Sequence, residues 1–306
     1  MSKKKEKEIE SVSDGSRAIT KVHTSDVVIM VIITILCLTC VLPFLHLFAK
    51  SISSNSMVMA KKVFFWPKQV TFDAYTSIFR DGAMVYSMVY SAIVTVVFTL
   101  LGMIACTCAA YPLSKKRLHG RYAFSFILMF PMYFSAGLIP TYLLYKDLHM
   151  LDTVWVLILP LIYSPYNMLI MKTYFQANLP DSLEESAKLD GASDFQILFR
   201  IALPLSKPII ATLSLFYAVG RWNSYADNKY YIQADTLKMI QYRLSQMVSS
   251  ATEAQTTTLS EAAAVTSTPE VLQAAAIMFV TIPIICIYPF LQKYFVKGAM
   301  VGAVKG

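Results

Sequence analysis

The chain has 306 residues, 56% of them hydrophobic and 15% charged, with a mean hydropathy of +0.52. A soluble globular domain carries about a quarter of its residues as charges, so this composition excludes that class and points to a membrane protein. The formal net charge of +8 would suit a nucleic-acid partner, but the placement of the cations gives it another meaning.

Residues 1–25 form a highly charged tail that opens "MSKKKEKEIESVSDGSR", read as mobile and as a mark of topology. A hydrocarbon core about 30 Å thick is crossed by about 20 apolar helical residues. Six stretches qualify: 26–48, 84–108, 122–145, 153–174, about 205–225 and about 272–292. The first run is longer than the roughly 7–15 residues of a signal-peptide core, and it comes after a polar tail, so it reads as a permanent anchor. The expected fold is an all-α polytopic membrane protein with six transmembrane helices over 26–292, and residues 293–306 form a second tail.

Lysine and arginine set the orientation. With the N-terminus in the cytoplasm, the inner segments hold six cations in the first tail and four after span two (Lys115, Lys116, Arg117, Arg121). They hold four more after span four (Lys172, Lys188, Arg200, Lys207) and three near the C-terminus (Lys293, Lys297, Lys305). Ten of the 27 are left outside. Both termini are therefore expected in the cytoplasm, and nucleic acid is not an expected partner. Cys37, Cys40, Cys106, Cys108 and Cys286 all lie in apolar runs and read as small buried hydrophobes.

The segment 176–206 falls in the cytoplasm between spans four and five, and its core, "EESAKLDGASDFQILFRIALP", is acidic and helix-patterned. Ser182 and Glu185 have capping-box spacing, which predicts a helix starting near Leu183; Gly191 can end it, and Ser193 with Gln196 repeats the box. Phe195, Leu198, Phe199 and Ala202 then keep helical apolar spacing, and Pro204 predicts a bend. A solvated loop is one reading. A lipid-lying helix is another, but such helices are usually basic, whereas 181–200 holds five acids against two bases. A docking element for a cytoplasmic protein is the third, and the pattern favours it.

The stretch resembles the EAA motif of ABC-importer permeases. Glu185 matches its Glu, Ala187 its second Ala, Gly191 its Gly, Ile201 its Ile and Leu203-Pro204 its close, while Ser186 replaces the first Ala. "FYAVGRWNSYAD" (216–227) and "YFVKGAMVGAVKG" (294–306) resemble carbohydrate-uptake permeases of the maltose-permease type, and the long outer loop resembles the LplC/YtcP-like branch. The likeness covers essentially everything after residue 25. It implies a type I ABC-importer permease fold with a cytoplasmic coupling helix between spans four and five. The coupling residues it implies are Glu184, Glu185, Ala187, Asp190, Gly191, Phe195, Ile201, Leu203 and Pro204. The glycine would let two short helices meet closely. Implied partners are a homologous second permease, two ATPase subunits, an extracytoplasmic sugar-binding protein and an oligosaccharide, in the cytoplasmic membrane of a prokaryote.

No G-x-x-x-x-G-K-[ST] occurs, so ATP and Mg are expected on the partner ATPases and no cofactor on this chain. No metal-spaced cluster or catalytic constellation is seen, and the chain is not read as an enzyme. Mid-span acids, which a proton-coupled carrier would need, are not found. Polar and aromatic candidates for a sugar path are Tyr133, Tyr163, Asn167, Tyr217, Trp222, Asn223 and Tyr225. Interfacial anchoring and interhelical bonding are the competing readings for each. In the extracytoplasmic loop 226–271, Leu237, Ile240, Leu244 and Met247 have helical spacing, and 249–268 reads as flexible. That loop is either a contact for the binding protein or a cover over the path. The expected function is oligosaccharide import by alternating access, driven by separate ATPases. The alternatives are an ABC-importer permease for another solute and a secondary carrier or channel acting without ATP.

Overall fold

A computed structural model describes the backbone of residues 24–257 and 269–303. Most of the first tail and residues 258–268 lie outside the described residues. The described chain is helical, and its β-type pairing is one isolated antiparallel bridge between Ser53 and Val70. It divides into two compact units, Met1–His46 and Leu47–Gly306.

The described part of the first unit belongs to α1 (Thr24–Ser51). Its most apolar 18-residue stretch has a mean hydropathy of 2.9, which, with the lack of a polar face, suits a helix surrounded by lipid.

The second unit begins with short elements, α2 (Asn55–Met59) and α3 (Asp73–Asp81). It is organised around α4 (Ala83–Ser114), a helix of 32 residues. At 1.5 Å per residue α4 is about 48 Å long, well beyond a hydrocarbon core of about 30 Å. Gly82, at φ +68°, supplies the left-handed junction between α3 and α4. The expected third span is not one helix. It is divided into α5 (Arg121–Met129), a 3-10 turn at Phe130–Met132 and α6 (Leu138–Asp147). Pro131 and Gly137 bracket the gap, and Pro removes a backbone donor while Gly weakens helix propagation. The fourth expected span is likewise broken, into α7 (Val154–Ile158), a 3-10 turn at Leu159–Leu161 and α8 (Pro165–Asn178), which bend by 45°. Lys172 Nζ donates to Ser125 Oγ at 3.0 Å, and Tyr163 OH donates to the Leu128 carbonyl at 3.0 Å, tying α5 to this broken span.

The acidic segment comes next as α9 (Asp181–Leu189) and α10 (Asp194–Ile197), then a π-turn at Leu198–Ala202 and α11 (Leu203–Leu205). Next comes α12 (Lys207–Trp222), at 83° to the piece before it. Pro204 and Pro208 flank this bend at Ser206, as the lost N–H groups dictate. The expected outer loop contains α13 (Ala226–Tyr231), a 3-10 turn at Asp235–Leu237 and α14 (Ile240–Thr257). The helix α14 runs past the expected limit at 248, because Ala251, Glu253, Ala254 and Gln255 are good helix formers. The last helix, α15 (Pro269–Ala303), continues through the sixth expected span into most of the expected tail. Among the described residues three helices are long and apolar enough to cross a membrane alone, and five crossings result if each bent pair is one span.

Both α8 and α12 pack on α4, around a core that includes Phe98, Cys106, Leu157, Met168, Met171, Phe175 and Leu213. A second cluster joins Ile78, Met84, Ile240, Val271 and Ala275. Of the cysteines, Cys106 is buried as expected, but Cys37, Cys40, Cys108 and Cys286 face outward. A helix within lipid has no reason to bury a thiol.

Gly102 on α4 faces the Tyr217 ring of α12. A Cβ there would stand 2.7 Å from the Tyr217 ring, whose residue is only 3% exposed. Gly102→Val should cost about 1–3 kcal/mol through overpacking. The expected readout is a lower melting temperature of the purified permease, with Gly220→Ala, whose Cβ meets nothing within 4 Å, as the mild control.

Candidate functional sites: an acidic helical segment and a polar cavity

Helix α9 begins at Asp181, ahead of the start near Leu183 that the capping pattern suggests. Pro180 occupies its N-cap without a side-chain bond, and the Ser182 box does not form. The second box does form: Ser193 Oγ accepts from the Gln196 backbone, and Gln196 Oε1 accepts from the Ser193 N–H at 2.8 Å. Gly191 joins the two helices at φ +81°, and a Cβ on it would meet nothing within 4 Å. The glycine therefore serves backbone conformation, not the close helix contact expected of it.

The segment has an inner and an outer face. Glu184 and Ala187 of α9 are buried, as are Ile197, Leu198 and Ala202. Glu184 accepts a hydrogen bond from Tyr111 OH at 3.2 Å and forms a buried ion pair with Lys115. Lys115 also lies over the Tyr111 ring, 4.6 Å from its centroid. Lys116 pairs with Asp181 at 3.1 Å, and Arg117 pairs with Asp194 at 2.5 Å. Lys188 adds a 3.3 Å contact to Asp194. The hydrogen bond from Arg117 is the main reason the Asp194 carboxyl titrates below its usual range. Lys115, Lys116 and Arg117 fit the positive-inside pattern, and they are also the counterions of the acidic segment.

The expected apolar stripe divides between the faces. Leu198 and Ala202 turn inward, while Phe195 and Phe199 are 75% and 62% exposed, and Leu189 is 90% exposed. Glu185 and Asp190 are exposed beside them. Ile201 is half-buried, and Leu203-Pro204 come directly after the π-turn. A groove of about 680 Å³ opens along Phe195, lined by Cys108, Tyr111, Pro112, Leu118 and Leu198, with Lys115, Arg117, His119 and Asp194 at its polar edge.

Of the seven path candidates, three share one cavity of about 370 Å³: Tyr163, Asn167 and Tyr217, together with Phe98, Ser164, Phe216, Arg221 and Ser224. The other four lie elsewhere. Tyr133 is 82% exposed at the break of the third expected span. The Trp222 side chain packs on the second apolar cluster. Asn223 accepts from Gln241 Nε2 at 3.4 Å, and Tyr225 lies 6.0 Å from the Tyr242 ring.

Sequence reasoning gives Arg221 no role, yet it is the largest of the fully buried side chains, 1% exposed. It donates to the Leu157 carbonyl at 2.6 Å, pairs with Asp227 and lies over the Phe98 ring at 5.5 Å. Asp227 also accepts from Ser224 Oγ at 2.6 Å. The available signal was a cation inside an apolar span with an acid six residues on. Beside this cavity Arg221 Nε is buried without a protein hydrogen-bond partner, and the Tyr217 hydroxyl lies among Asn167, Ser164 and Cys106. Among the described residues no cluster of His, Cys, Asp and Glu could hold a metal ion.

Residues 76–301 match the family described as the binding-protein-dependent transport system inner membrane component. The chain belongs to that family. It is 42% identical over 282 residues to the polygalacturonan/rhamnogalacturonan transport system permease protein YtcP of Bacillus subtilis, covering 92% of this chain and 98% of the relative. Protein LplC of the same organism is 42% identical over 269 residues, covering 87% and 90%. A solved bacterial ABC transporter chain, from the importer of the acidic polysaccharide alginate, superposes with a TM-score of 0.81 at 32% identity, covering 89% of this chain and 98% of its own. The chain is thus an ABC-importer permease, a multi-pass membrane subunit whose relatives are transport permeases and not enzymes.

At Gly191 the left-handed backbone is the constraint. Gly191→Asn should be tolerated, because Asn enters this region readily, whereas Gly191→Val should strain the junction by about 1–2 kcal/mol. The melting temperature of the purified permease should fall in the Val variant and stay near wild type in the Asn variant.

Proposed function

We propose that this chain is the permease subunit of an importer for oligosaccharides, and that α9 and α10 dock into an ATPase subunit. The observation that carries this reading is the patch formed by Leu189, Phe195 and Phe199, which stays exposed on a segment whose inner face is already filled. An apolar patch rimmed by acids on a cytoplasmic helix pair suits a protein groove and not an anionic lipid surface. Glu185 and Asp190 would meet cations on the ATPase. Two ATPase subunits, binding ATP and Mg, would close together and move the segment. A homologous second permease would complete the path, and an extracytoplasmic binding protein would deliver cargo.

Six spans with both termini in the cytoplasm is the topology this reading requires. The α5–α6 pair then counts as the third crossing, broken at Tyr133–Gly137. The cavity holding Tyr163, Asn167 and Tyr217 has room for a sugar ring, with Phe98 and Phe216 offering apolar faces and Asn167 and Ser224 among its polar lining. The similarity to a polygalacturonan/rhamnogalacturonan permease and to an importer of the acidic polysaccharide alginate supports oligosaccharide cargo and makes acidic chains the first to test.

Purified with its partner permease, ATPase and binding protein, the wild-type chain should take labelled oligosaccharide into vesicles in an ATP-dependent way. Phe195→Asp should reduce co-purified ATPase at least tenfold, and retention at wild-type level would end the docking reading. Tyr217→Phe and Asn167→Ala should lower uptake several-fold while ATPase subunits remain bound. Uptake of peptides or polyols in place of any saccharide would overturn the cargo.

A further inference from the structure

Three consecutive cations grip the docking segment at three places. Lys116 holds Asp181 at the start of α9, Lys115 holds Glu184 in its first turn, and Arg117 holds Asp194 at the start of α10. The two outer pairs are solvent-exposed and contribute little by themselves. The central pair is buried, with Lys115 6% and Glu184 8% exposed, so removal of either partner leaves an uncompensated charge.

Lys115 is also the C-cap of α4. Tyr111, one turn earlier, bonds Glu184 and makes an edge contact with Phe175 of α8, ring centres 5.8 Å apart. The docking segment is thereby fastened to the end of α4, a helix of 32 residues that lies in the first core. Toward the opposite end of α4, Ser91 Oγ accepts from the Ile240 N–H at 2.8 Å, and Ser87 Oγ accepts from Arg243 Nε at 3.2 Å. Both bonds hold the start of α14, in the outer loop. One unbroken helix therefore joins the docking segment to the outer loop. The covalent route from the same segment runs through a π-turn and an 83° bend into α12, whereas α4 is continuous from Ala83 to Ser114, with Pro112 in its last turn.

We propose that α4 is the connecting rod of the transport cycle: the Lys115–Glu184 pair passes movement of the docking segment to α4, and α4 passes it to α14. Lys115 and Glu184 are positioning residues in this scheme. The proposal rests on the docking reading above and adds the route by which docking reaches the outer face. Intermediacy in space does not establish coupling, so the test measures it.

The assembled importer is prepared with Lys115→Gln, with Tyr111→Phe, and with the exchanged pair Lys115→Glu/Glu184→Lys. Two quantities are read: co-purified ATPase subunit, and the increase in ATP hydrolysis caused by loaded binding protein. Lys115→Gln should keep the ATPase subunit and lose about tenfold in stimulation. Tyr111→Phe removes one hydroxyl from the same junction, is the variant least prone to misfold, and should lose about threefold. The exchanged pair should recover at least half the stimulation, which a purely steric role for Lys115 would not allow. Ser91→Ala combined with Lys115→Gln should show non-additive loss. Wild-type stimulation in Lys115→Gln and Tyr111→Phe overturns the connecting rod, as does absence of recovery in the exchanged pair. Failure of the wild-type chain to retain any ATPase subunit overturns the docking reading itself, and the rod with it.

Discussion

A carboxylate taken out of water needs both a counter-charge and hydrogen-bond donors, because its desolvation alone costs several kcal/mol. Glu184 finds them in Lys115 and the Tyr111 hydroxyl, both at the end of α4. That pairing determines which way the acidic segment faces. With Glu184 and Ala187 directed inward, Leu189 lies on the far side of α9. The turn through Gly191 carries the same sidedness into α10, where Ile197 and Leu198 turn in and Phe195 and Phe199 turn out. A short segment with apolar residues on both faces thus has one set of contacts inside the chain and leaves Leu189, Phe195 and Phe199 exposed on the other side.

The legible features were those with local causes. The capping box at Ser193 and Gln196, the glycine between the two helices and the bend near Pro204 each depend on one or two residues, and each appears in the fold. The long apolar runs mark α1, α4 and α15 for the same reason. The features that were not legible depend on distant partners. Periodicity placed Phe195 and Leu198 on one stripe, yet the stripe straddles the boundary of the packed face: Leu198 and Ala202 are buried while Phe195 and Phe199 are exposed. Glu184 and Glu185 are neighbours in sequence with opposite fates, and only the position of Lys115, about 70 residues earlier, decides which is buried. Cations that obey the positive-inside pattern proved also to be counterions, two roles that a count of charges cannot separate.

The broken spans have a similar origin. Hydropathy averaged over 122–145 and 153–174 reports how apolar a segment is, and it is indifferent to Pro131, Gly137, Pro160 and Pro165 within them. Proline deletes a donor wherever it stands, so a run can be apolar enough to cross a bilayer and still not form one helix. In membrane proteins non-helical backbone is tolerated where protein or a cavity covers it. The break between α7 and α8 obeys this, because Leu161, Tyr163, Ser164 and Pro165 line the cavity that Arg221 and Tyr217 close.

Arg221 gives that cavity its character. Its guanidinium is paired with Asp227 and bonded to the Leu157 carbonyl, so its charge is balanced inside the protein. Its Nε, buried beside the cavity, has no protein hydrogen-bond partner. A free arginine would hold an anionic ligand tightly, and tight holding opposes release on the other side of the membrane. A balanced arginine offers direction without a net field. If the cavity holds cargo as proposed, the cargo would meet an arginine already balanced by Asp227 and not a free positive charge, which suits a compartment that must also release what it binds.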